Sequence, residues 1–160
     1  MDFEQRLERA IERGQRSADA KAQARADQTS SEQELKRLHA QYQVELSEHI
    51  ENCLRKLPDH FPGFRFVTVV DERGWGATVS RDDLRLGHGG RRDKQFSHFE
   101  MFVRPFSDVH ILNLVAKATI RNKEVFNRSQ YEPLADADRA SFRDTIDRWV
   151  LEFAERYAGT

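Results

Sequence analysis

At 160 residues the chain is long enough for one ordinary domain with a proper core, and a second full domain would be cramped. Its 26 Lys and Arg against 27 Asp and Glu remove any overall basicity that would demand nucleic acid or an anionic membrane. Eleven Phe and two Trp exclude a wholly disordered chain, and the single cysteine excludes an intramolecular disulfide and any zinc site built from several thiolates.

Residues 1–57 contain no proline and read as helix in two unequal pieces. The first has Phe3, Leu7, Ala10 and Ile11 at spacings of three and four. Beyond Gly14 its only apolar side chains are the alanines of ADAKAQARAD. Such a stretch coils by propensity yet has almost nothing to bury. It reads as a helical arm over residues 1–28, ahead of a single α+β domain over 29–160.

At TSSEQE, Thr29 with Glu32 and Ser31 with Glu34 both fit the capping box, which places the start of a second helix there. Leu35, Leu38, Tyr42, Leu46, Ile50, Cys53 and Leu57 then form a continuous apolar stripe, ended by Pro58, Pro62 and Gly63. Cys53, at helical spacing between Ile50 and Leu57, reads as a packed thiol.

FRFVTVV (64–70), WGATVS (75–80) and three later runs are rich in β-branched and aromatic residues at period two, which predicts five strands. DDLRLGHGGRRDKQ (82–95) reads as an exposed, charged loop in which LRL can form a short edge strand. Asp136 or Asp138 can cap a final helix carrying Phe142, Ile146, Trp149, Val150, Phe153 and Tyr157. The expected fold class is therefore α+β: a five-stranded antiparallel meander packed with a long N-terminal helix and a C-terminal helix.

Two-residue turns at Ser107-Asp108 and Asn122-Lys123 would fix the register of the last three strands. Phe99, Met101 and Val103 then share an apolar face with Leu112, Leu114, Ala116 and Ala118. The other face carries rows Phe96-Thr119-Phe126, His98-Lys117-Arg128 and Glu100-Val115-Gln130. Lys117 directly beside Arg128 is unfavourable unless Glu100, a covering helix or an anionic partner compensates.

Chemistry-bearing motifs are sparse. The six histidines show no HExxH spacing, and there is no GxSxG elbow, Walker loop or Cys-His signature. GHGGRR (87–92) has the glycines and arginines of a phosphate loop but is followed by a strand, where a phosphate cradle needs a helix N-terminus.

The residues favour a non-catalytic interaction or adaptor protein of a bacterial cytoplasmic kind. Its arm (Phe3, Leu7, Ile11) would dock on a protein partner or a second copy, and its mixed aromatic and basic sheet face would give a second contact. An arm folded back on its own domain is the competing arrangement. Another reading has the sheet face bind an anionic ligand or single-stranded nucleic acid, with Phe96 and Phe126 stacking and His98, Lys117 and Arg128 meeting phosphates. A third is a small enzyme using His98 and Glu100 as acid and base. No cofactor or metal is expected, since the motifs that hold them are missing, and no membrane contact, since no segment approaches the roughly 20 apolar residues that cross a bilayer.

Overall fold

The computed structural model describes residues 2–90 and 92–160, with backbone alone at Arg85, Leu86, His88 and Arg92. Helix α1 (Phe3–Leu54) and the one-turn α2 (Leu57–His60) precede strands β1 (Arg65–Asp71), β2 (Gly74–Leu86), β3 (Arg92–Val103), β4 (Ile111–Ile120) and β5 (Lys123–Pro133). Helix α3 (Arg139–Ala158) ends the chain. The strands form one antiparallel sheet in the order β1-β2-β3-β4-β5, the expected meander. None of the described helices is long and apolar enough to cross a membrane.

The chain divides into two units, one ending at Arg37 and the other running from Leu38 to Thr160. The first unit is helix from Phe3 onward, and its side chains are exposed from Asp2 to Ser31. No helix begins at the TSSEQE capping box. Thr29 Oγ1 instead donates to the Arg25 carbonyl at 3.0 Å, inside the helix. Hydroxyls that cap a helix also fit within one by this back-bonding, and the alanines, arginines and glutamines upstream favour helix strongly enough to continue it.

In the second unit, the α1 residues Tyr42, Leu46, Ile50 and Leu54 and the α3 residues Phe142, Ile146, Trp149, Val150, Phe153 and Tyr157 are buried. They face the buried side of the sheet, which carries Ala77, Val79, Phe99, Met101, Val103, Leu112, Leu114, Ala116, Ala118 and Phe126. Phe153 packs on Phe99 with ring centroids 4.6 Å apart, and the Arg55 guanidinium lies over the Phe66 ring. Both helices therefore cover the same face. Asp138 caps α3, its Oδ1 accepting from the Ala140 amide at 3.1 Å.

The expected greasy face is intact although neither expected turn is. Ser107 and Asp108 lie in a longer loop, and Val103 pairs with Leu114 where the short turn would have put Leu112. A slip of two residues keeps every side chain on its face. The second hairpin turns at Arg121 and Asn122, whose φ values of 49° and 70° fit a type I′ turn, and Ile120 pairs with Lys123. A bulge between Ala118 and Thr119 then shifts β5 so that Arg128 pairs with Ala116 and Lys117 with Asn127. That odd shift moves Phe126, Arg128 and Gln130 to the helix-covered face. Most of 82–95 is strand rather than loop, since β2 and β3 pair from Asp82 opposite Phe96 out to Leu86 opposite Arg92, a pairing that includes the LRL segment, and residues 87–90 lie between the two strands.

Candidate functional site

The arm, the uncovered sheet face and the seam between α1 and α3 each gather functional residue types. In the arm, Phe3, Leu7 and Ile11 stand one helical turn apart and are 75%, 45% and 52% exposed. The following residues to Ser31 add only small or polar exposed side chains.

On the uncovered sheet face the structure brings together Phe96, His98, Glu100 and Lys117. Glu100 pairs directly with Lys117, and its Oε1 lies 3.7 Å from His98 Nε2. The neighbouring His98, helped by the charges of Arg73 and Lys117, holds the Glu100 carboxyl below the usual range. Phe96 is exposed and stacks on His98, with centroids 5.6 Å apart. Phe126 and Arg128 do not belong here. Phe126 is buried against Phe99, and Arg128 lies over the Phe126 ring and pairs with Glu152 of α3 at 2.8 Å. The predicted basic row is thus split between two faces, with Arg128 ion-paired to Glu152 and Lys117 standing opposite Glu100 in the register, where its charge acts on that carboxylate.

For acid-base chemistry His98 and Glu100 would need an enclosed pocket. The hollow beside Glu100, between Phe102, Val115, Lys117 and Asn127, is about 120 Å³, well under the roughly 300 Å³ at which small-ligand pockets begin.

The seam holds a cluster that the sequence reading missed. His49 and Cys53, one turn apart on α1, meet Asp147 of α3. His49 Nε2 is 2.7 Å from Asp147 Oδ1, and Cys53 Sγ is 3.7 Å from His49 Nε2 and 3.6 Å from that same oxygen. Burial and the charge of Asp147 push the Cys53 thiol up to about 11. The legible signal was the four-residue spacing of His49 and Cys53, which puts both on one helical face. The third member comes from 94 residues away and leaves no local trace.

Beside this cluster lies an open hollow of about 630 Å³ lined by Cys53, Leu57, Phe61, Asp147, Val150 and Leu151, among others. Compared with known proteins, the chain matches no family model, no curated protein and no solved structure.

Proposed function

We propose that the chain is a non-catalytic interaction protein whose N-terminal arm pairs with the arm of a second copy. The observation that carries this reading is the exposed stripe of Phe3, Leu7 and Ile11 on a helix with no other large apolar side chain as far as Ser31. Large apolar side chains repeated at helical spacing on an exposed face are the signature of helix-to-helix docking. Residues 1–28 hold six basic and six acidic side chains, so two arms meet without net repulsion.

The magnitudes make the contact weak. Six partly exposed side chains from two stripes gain about 5 to 10 kcal/mol on burial, while association costs about 4 kcal/mol or more. The net is at most about 6 kcal/mol, which makes the dissociation constant no tighter than tens of micromolar. A protein partner offering a preformed groove would bind the same stripe more tightly.

Sedimentation equilibrium on the full chain, on a 38–160 fragment and on a Phe3→Ser, Leu7→Ser, Ile11→Ser variant tests this. A mass that rises with concentration in the full chain alone is expected. A full chain that stays monomeric to millimolar concentration overturns pairing between copies.

A further inference from the structure

We propose that His49, Cys53 and Asp147 form a divalent metal site of the zinc class, with one coordination position open toward the hollow beside α2 and α3. Three ligand atoms of three kinds, an imidazole nitrogen, a sulfur and a carboxylate oxygen, lie within 4.8 Å of one another. With metal-sulfur bonds near 2.3 Å and metal-nitrogen or metal-oxygen bonds near 2.0–2.1 Å, tetrahedral geometry puts the sulfur about 3.5 Å from each of the other two. The observed separations are 3.7 and 3.6 Å.

Only the edge from His49 to Asp147, now a 2.7 Å hydrogen bond, has to widen, by about 0.6 Å, to reach tetrahedral spacing. Asp147 can make that movement, because its side chain is 49% exposed. As the ion enters, that hydrogen bond breaks, Nε2 gives up its proton to solvent or, in a neutral ring, exchanges it for one on Nδ1, the thiol releases its proton to solvent, and Nε2 and the sulfur bond to the metal. The His49 ring keeps its remaining proton on Nδ1.

The same geometry argues against a nucleophilic triad. In a relay the acid holds one ring nitrogen and the nucleophile addresses the other. Here Asp147 and Cys53 both converge on Nε2, which cannot serve both. Convergence on a point is what a metal requires.

The donor set selects among ions. Thiolate with imidazole favours zinc, cobalt and their neighbours over magnesium or calcium, which prefer oxygen alone. Lys56 and Arg143 act on Cys53 by charge, which disfavours a purely electrostatic cation site further. Among the described residues no fourth side chain of the ligating types joins the three, so water or a donor from a small ligand in the hollow completes the shell.

Titration of the reduced, metal-free full chain with cobalt(II) tests the site. Cys53 is the only cysteine, so any thiolate-to-cobalt absorption reports on this position alone. Saturation at one equivalent, displacement by zinc and loss of the band in Cys53→Ser are expected. Asp147→Asn, at a half-exposed position where folding is not at risk, should lower cobalt affinity at least about tenfold, the low end of what even an indirect metal contact is worth. Absence of the absorption in the wild-type chain overturns the site, and so does a band whose affinity is unchanged in both Asp147→Asn and His49→Asn, which would mark binding by the thiol alone.

Discussion

His39 shows how one residue can be legible as a letter and illegible as a role. In sequence it is one of six scattered histidines, in a stretch that reads as helix. In the fold it is buried, its ring meets Phe106 edge-on, and Nε2 lies 3.1 Å from the Arg104 carbonyl, which can only accept. Burial lowers its pKa from 6.5, and the carbonyl hydrogen bond offsets this in part. The folded chain therefore takes up the second ring proton less readily than the unfolded chain. Stability linked to His39 is complete above about pH 6.5 and is lost as the pH falls from there through the lower folded value. Replacing His39 with Gln keeps a donor and removes the titration. Urea midpoints measured from pH 7.5 to 5 should fall more steeply for the wild type than for His39→Gln, and parallel curves would show that His39 is not the group responsible.

Among the elements, the meander separates what periodicity can specify from what it cannot. Alternation identified five strands and the buried face correctly because the two-residue loop slip at β3-β4 is even, and even slips preserve faces. Phe126 and Arg128 were misplaced because an odd shift does not. The odd step is the bulge between Ala118 and Thr119, because the turn itself, at Arg121-Asn122 in place of Asn122-Lys123, moves the register by an even two and is held by tertiary contacts. Asn122 Oδ1 accepts from the Phe96 amide at 2.8 Å and its Nδ2 donates to the Lys94 carbonyl at 2.9 Å, so the turn is stitched to β3. Arg121 reaches Gln95 at 3.0 Å and Thr160 at 3.1 Å. No local pattern announces those partners. Asn122→Ala loses both side-chain bonds and puts at φ 70° a residue that tolerates the left-handed region less well than Asn, which together should cost about 2 to 3 kcal/mol. Asn122→Gly relieves the backbone and should recover part of that loss. Equal losses in thermal or urea unfolding would show that the positive φ carries no cost, and no loss in either would remove the stitch as a stabilising contact.

Across the whole molecule, stability should be distributed as unevenly as burial is. The domain from Leu38 onward has a helix-covered sheet whose central strands β3 and β4 hold fully buried side chains, whereas the helix from Gly14 to Ser31 exposes every side chain. A helix that buries nothing is held only by its own hydrogen bonds and propensity, so it opens locally at little cost. Amide hydrogen exchange should therefore find protection near Gly14–Thr29 many orders of magnitude below that of Phe99–Val103 and Leu112–Ala118, which should exchange only on global unfolding. Gly14→Ala sharpens the expectation, because an added Cβ there meets nothing within 4 Å and Ala favours helix by about 1 kcal/mol over Gly. Arm protection should rise roughly fivefold while the unfolding temperature of the domain stays fixed. Arm amides as slow as those of β3 would instead mean that the arm is packed in solution, and at concentrations where sedimentation shows a monomer that packing could only be against its own chain.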